Sequence, residues 1–208
     1  DELSIFVEAV VKPLTNGGRI YIYSHSLGST VALLYMMKHP GVIKKAVLSS
    51  PMICGNMGMP VAVAGTAAKL VCALSGKKIP APGRCVFNAS LPFEKSDATS
   101  RARFEYYHNK RLREPLYQTS GPSFGWVRAS LQARDRLLDD KALKAIDADL
   151  LIFKPEEDKQ LLSEYTDIFA HKVGAKVKNV RDSRHEIFMS GDSVLKWYYE
   201  EILDFISD

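Results

Sequence analysis

The stretch "RIYIYSHSLGSTVALLYMMKHPGVIKKAVLSS", Arg19 to Ser50, constrains the fold more than any other part of the chain. It opens with the alternating apolar run "RIYIYS", passes through small residues around Ser26, and continues with apolar residues at helical spacing from about Gly28 to Lys38. "HPG" ends that helix, and "KAVLSS" (Lys45 to Ser50), rich in β-branched and apolar residues, is a second strand closed by Pro51. A strand, helix, strand unit of this length joins parallel strands by a right-handed crossover, which commits the chain to an α/β architecture.

The rest of the chain fits that frame. Leu3 to Val11 has helical periodicity and is stopped by "TNGG" (Thr15 to Gly18). Strands resume at "DLLIFK" (Asp149 to Lys154) and "AKVKNV" (Ala175 to Val180), separated by a helix near Leu161 to Val173 and followed by one from about Ser193 to Ile206. Between the second and third strands, residues 51–147 read as glycine-rich loops and helices without strands. The expected division is a core from residues 1–50 and 148–208, with a helical cap inserted at 51–147. A chain of 208 residues can bury one core of this kind.

Ser26 can be read in two ways. A serine between small residues after a strand is often only a helix N-cap. The alternative is a nucleophile elbow, a tight strand-to-helix turn that exposes the serine hydroxyl and needs small residues two before and two after it. Ser24 and Gly28 hold those positions. Such a turn also offers the N–H of Leu27 at a helix N-terminus, where it can stabilise an oxyanion.

A serine hydroxyl needs a base to take its proton and an acid to orient that base, in the chain order Ser, Asp/Glu, His, each after a later strand. Asp158 lies four residues after Lys154, and His185 five residues after Val180. Glu157 is the rival for the acid. Taken singly, Asp158 could be a helix-start carboxylate and His185 a surface loop residue; their order and placement favour the triad Ser26, Asp158, His185. His25, beside the serine, should point away from it on an elbow and is not the expected base.

The stretches "SHSLGS", "SSPM", "PFEKSDATSRARFEYY", "GPSFGWVRASL", "LLIFKPEED" and "SRHEIF" together resemble the lysophospholipase L2 and monoacylglycerol lipase group of α/β-hydrolases, which is serine aminopeptidase S33-like. The resemblance covers nearly the whole chain. It implies an α/β-hydrolase fold with a helical cap, a serine ester hydrolase acting on a lysophospholipid or monoacylglycerol, and Ser26, Asp158 and His185 as nucleophile, acid and base. The same triad could serve a peptidase or an acyltransferase, and the scaffold alone could serve a non-catalytic binding protein. Two departures stand out: Ser24 replaces the usual glycine, and the family's amino-terminal strands, with the His-Gly loop carrying the second oxyanion N–H, would lie upstream of Asp1.

Charge and composition narrow the partners. Residues 51–147 carry 15 Lys and Arg against 8 Asp and Glu, so the middle of the chain is its basic part. Arg101, Arg103, Lys110, Arg111 and Arg113 beside Tyr106 and Tyr107 could meet anionic head groups at a membrane surface, or form a solvated face. Met52, Met57 and Met59 could receive an acyl chain or simply pack on the core. No nucleic-acid motif accompanies the basic residues. The chain opens on an acidic amphipathic helix, not a leader, and "MPVAVAGTAAKLVCAL" is shorter than the ~20 residues that span a bilayer. A cytoplasmic protein with peripheral membrane contact through the cap is therefore expected. Cys54, Cys72 and Cys85 form neither a zinc pattern nor a disulfide framework, and no metal or organic cofactor is called for.

Overall fold

The computed structural model describes residues 2–82, 87–119 and 121–208. Its centre is a four-stranded parallel sheet in the order β1-β2-β3-β4, formed by β1 (Ile20–His25), β2 (Ile43–Ser49), β3 (Asp149–Pro155) and β4 (Lys176–Val180).

The chain enters through α1 (Glu2–Phe6), a π-helical turn (Val7–Val11) and α2 (Lys12–Thr15). The stop is made as the residue types require: Asn16 and Gly17 take left-handed φ values of 47° and 81°, and an added Cβ on Gly18 would sit 2.9 Å from the Thr15 carbonyl oxygen. After β1, α3 (Leu27–Lys38) makes the crossover to β2. The segment between β2 and β3 holds α4 (Val61–Leu74), α5 (Arg101–Arg113), α6 (Phe124–Leu137) and α7 (Asp140–Leu143), with no strand among its described residues. Then α8 (Ser163–Val173) connects β3 to β4, and α9 (Asp192–Ser207) closes the chain.

Side chains alternate across a strand, so each face of the sheet builds its own core. On one face Ala46, Leu48, Leu150 and Ile152 pack with Leu33 and Met36 of α3 and Phe169 of α8. On the other, Val47, Leu151, Phe153 and Val180 meet Leu195, Tyr198 and Phe205 of α9. Burial of both faces explains why "DLLIFK" is a nearly continuous apolar run. Lys45 is a buried exception on β2: its ammonium donates to the Phe205 carbonyl at 2.7 Å, at the C-terminal end of α9, where the helix dipole favours a cation.

Two further clusters fill the segment between β2 and β3. In one, α4 lies against α6 through Ala68, Val127 and Leu131, joined by Cys54 and Met57. Here Met57 packs internally, and Met52 is buried as well, whereas Met59 is exposed. In the other, Leu91, Phe93, Ala98 and Phe104 pack on Phe188 and Met189, next to the β4–α9 loop. Arg101, Arg103 and Arg111 are engaged within the protein, with Glu94 (2.7 Å), Asp192 (2.6 Å) and the Tyr117 carbonyl (3.2 Å). Cys54 and Cys72 are free thiols; Cys85 lies outside the described residues. Among the described residues no helix is long and apolar enough to cross a membrane.

Candidate active site

Three strand ends converge at the carboxyl edge of the sheet, the location at which open α/β sheets place their sites. Ser26 follows β1 with φ 49° and ψ −121°, a conformation that costs an L-residue about 1–3 kcal/mol and persists only where the surroundings impose it. They do so through the backbone: Ser26 N–H donates to the Ser49 carbonyl at 3.0 Å, and the Ser26 carbonyl accepts from Ser29 N–H at 3.0 Å and Met52 N–H at 3.1 Å. The Thr30 hydroxyl completes the clasp on the Met52 carbonyl at 2.5 Å.

Ser26 occupies the N-cap position of α3, yet its side chain makes no capping bond. Its hydroxyl oxygen lies 2.9 Å from His185 Nε2. The two readings open from the sequence are thereby separated in geometry: the hydroxyl faces an imidazole, not the helix. Ser24, the departure from glycine, fits because it is small and satisfied, donating to the Ser29 hydroxyl at 3.1 Å inside the turn. Leu27 is the first residue of α3, so its N–H has no intrahelical acceptor and stands free at the positive end of the helix.

His185 is 6% exposed and bonded through both ring nitrogens. Nδ1 lies 2.9 Å from Asp158 Oδ2, whose own side chain is 4% exposed. A carboxylate can only accept, so Nδ1 carries the proton and donates it to Asp158, which leaves Nε2 of the neutral ring to accept from the Ser26 hydroxyl. The other carboxylate oxygen, Oδ1, accepts from the N–H groups of Gln160 at 2.8 Å and Leu161 at 3.0 Å. Glu157 is elsewhere, exposed and paired with Arg184 at 3.5 Å. Asp158, and not its rival, is the acid beside the imidazole.

Several contributors carry no signal in the local sequence. Ser50, at φ 42° directly after β2, donates its buried hydroxyl to the His185 carbonyl at 2.7 Å. His25 is not bonded to Ser26, yet its ring centroid is 5.1 Å from that of His185 and 5.1 Å from Phe188. Its buried Nδ1 has no partner. Burial first, and then repulsion from His185, push its pKa down to about 4, so it stays a neutral packing ring. Glu186, next to the base, is held above the usual carboxylate range by burial and then by the charge of Asp97.

A strained serine after the first strand, bonded to a histidine that is bonded to an aspartate, invites comparison with known proteins. The family model described as "Serine aminopeptidase, S33" matches residues 1–192. The chain belongs to this family. Among curated relatives, lysophospholipase L2 of Escherichia coli strain K12 is 27% identical, aligned over 100% of this chain and 63% of its own length. The probable lysophospholipase L2 of Haemophilus influenzae is 23% identical over 100% of this chain and 67% of its own. The chain thus spans just under two thirds of the length of the Escherichia coli protein. The fold is shared with solved structures: a soluble variant of monoglyceride lipase from Saccharomyces cerevisiae in complex with a substrate analog (TM-score 0.76, 18% identity, 99% of this chain and 67% of that one), and the monoacylglycerol lipase of Paleococcus ferrophilus (TM-score 0.69, 18% identity, 99% and 74%). This S33 member is therefore an α/β-hydrolase in fold, as the motif resemblance implied.

Proposed function

We propose that this chain carries the catalytic machinery of a serine ester hydrolase that cleaves the acyl ester of a lysophospholipid or monoacylglycerol. The observation that carries the reading is the continuous bonded line from the Ser26 hydroxyl through His185 to Asp158, with Ser26 held in a conformation that leaves its hydroxyl uncapped. The relatives' names supply the substrate class.

In the proposed reaction His185 Nε2 takes the Ser26 proton as Oγ attacks the ester carbonyl. The new C–O bond pushes the carbonyl electrons onto oxygen, where the Leu27 N–H stabilises them. Asp158 stabilises the imidazolium without itself taking the proton. Collapse expels the alcohol, which leaves with the proton from Nε2, and the acyl group remains on Ser26. Water, deprotonated by the same nitrogen, attacks the acyl-enzyme and restores the serine. Every proton taken is returned by one imidazole.

Residues 51–147 act as the cap over this site in the proposal. The outer face of α4, with exposed Val63, Leu70 and Leu74, is the part of the cap suited to peripheral contact with a lipid surface, on the cytoplasmic side. The family's description favours one second reading, cleavage of an aminoacyl amide by the same residues. Turnover of lysophosphatidylcholine, a monoacylglycerol, p-nitrophenyl esters and aminoacyl amides by the full-length protein separates the two. Hydrolysis of the esters that disappears in Ser26→Ala is expected; a strong preference for the amides overturns the substrate class.

A further inference from the structure

The segment "SDATS", Ser96–Ser100, belongs to the "PFEKSDATSRARFEYY" stretch, yet the proposed chemistry gives it no task. It lies across the loop that holds His185 and is bonded to it on both flanks. On the amino-terminal side of His185, the Thr99 hydroxyl donates to the Asp182 carbonyl at 2.9 Å, and the Arg184 guanidinium donates to the carbonyls of Ser96 (3.1 Å) and Ala98 (3.3 Å). On the other side Glu186 N–H donates to the Asp97 carbonyl at 3.1 Å, while the N–H groups of Thr99 and Ser100 donate to the Met189 carbonyl at 3.3 and 2.9 Å. Ala98 at the middle of the segment is fully buried.

Asp97 does something the other four residues do not: it reaches the acid loop as well. Its Oδ2 accepts from Gln160 Nε2 at 2.7 Å, and the backbone N–H of that same Gln160 donates to Asp158 Oδ1 at 2.8 Å. Gln160 is fixed at its other end, since its carbonyl accepts from Asn56 N–H at 2.7 Å. One residue therefore holds, through its main chain, the residue after His185 and, through its side chain, the residue two past Asp158 whose N–H the acid accepts. The loops after β3 and β4 also meet directly, Glu157 N–H donating to the Ser183 carbonyl at 3.1 Å and Asp182 N–H to Glu156 Oε2 at 2.7 Å, but those bonds precede Asp158 and His185 in each loop. Asp97 ties the two loops beyond those residues, and a small change in spacing there would lengthen the bond between Asp158 and His185.

We propose that Asp97 is a positioning residue that sets the spacing of the acid and base loops. This rests on the triad reading of Ser26, Asp158 and His185. The side chain acts as an acceptor, so an amide in its place keeps the oxygen that Gln160 needs, whereas alanine removes it. Geometry errors at a reacting centre cost rate and leave binding intact, and misplacement by about 1 Å is worth up to ~10²-fold.

The test uses the full-length protein, with working sites counted by fluorophosphonate labelling and a p-nitrophenyl ester as substrate. Asp97→Ala is expected to lower kcat per labelled site about tenfold at unchanged KM, and Asp97→Asn to restore most of it. Gln160→Ala is expected to cost a similar factor, and the double variant to be no worse than either single one, because the two act through one bond. In proton NMR the downfield signal of the His185 Nδ1 proton is expected to move in Asp97→Ala and return in Asp97→Asn. If Asp97→Ala lowers the melting temperature but leaves kcat per labelled site and the Nδ1 signal unchanged, the residue is only structural and the proposal fails. If Asp97→Asn is as slow as Asp97→Ala, or the two alanine effects multiply, the acceptor route is wrong. Failure of the triad reading looks different: Ser26 would then take no label in the unsubstituted protein.

Discussion

The turn that holds Ser26 and the loop that holds His185 are built by opposite means. Around Ser26 the anchors lie in or next to the β1–α3–β2 unit: Ser49, Ser29 and Thr30 within it and Met52 three residues beyond β2 clasp a backbone forced to φ 49°. Around His185 the anchors come from far along the chain, with Ser50 beneath its carbonyl and Ser96–Ser100 across its flanks. The nucleophile's geometry is thus set by local backbone strain, and the base's geometry by tertiary contacts. Damage to the first should be all or none, and damage to the second graded.

The largest expected effect strikes the bond between the base and its acid. Asp158→Asn offers an amide to Nδ1, favours the wrong tautomer and should lower kcat by ~10⁴ with the fold intact by circular dichroism. A loss under tenfold would mean that Asp158 does not orient His185.

His25 joins the two regions, being part of β1 while its ring touches His185. Its folded pKa of about 4 lies below the ordinary 6.5, so the unfolded chain binds the proton more readily. Stability from this group is complete above pH 6.5 and is lost as pH falls from there towards 4, by up to about 3 kcal/mol. Urea unfolding across that window should show a smaller acid loss in His25→Leu than in the unsubstituted protein; equal slopes would remove His25 from the account.

Graded damage is the expectation for Ser50→Ala, which leaves a buried carbonyl with one bond fewer. Stability should fall by about 1 kcal/mol, and kcat by about tenfold through a looser His185. The smallest effect has the opposite sign. Ser26→Gly relieves the left-handed strain, so the inactive variant should be more stable by about 1 kcal/mol in thermal unfolding. A destabilised glycine variant would show that the turn is not strained.

Much of the fold was legible because its signals are local. The period-2 strand runs, the helix stops at "TNGG" and "HPG", and the spacing of Asp158 and His185 after strand ends all follow from residues adjacent in the chain. All four expected strands are present within one or two residues of their expected ends. What could not be read involves partners separated by large stretches of chain. Nothing around Ser50 announces a bond to a carbonyl 135 residues away, and "KSDATS" shows no sign of the two loops it meets. Nor does "KAVLSS" show that Lys45 is buried against the end of α9, a partner 160 residues away. His25 was expected not to serve as the base, and the ring bonded to Ser26 is that of His185; the contact of His25 with His185 depends on a loop that arrives from the other end of the chain.

The central claim is that Ser26 is the residue His185 activates. Its most direct measurement is the intact and peptide mass of full-length protein after reaction with a fluorophosphonate. One adduct, located on Ser26 and formed at least ~10³-fold more slowly in His185→Ala, is the predicted result. An adduct on another residue, or one that forms on Ser26 at an unchanged rate without His185, would contradict it.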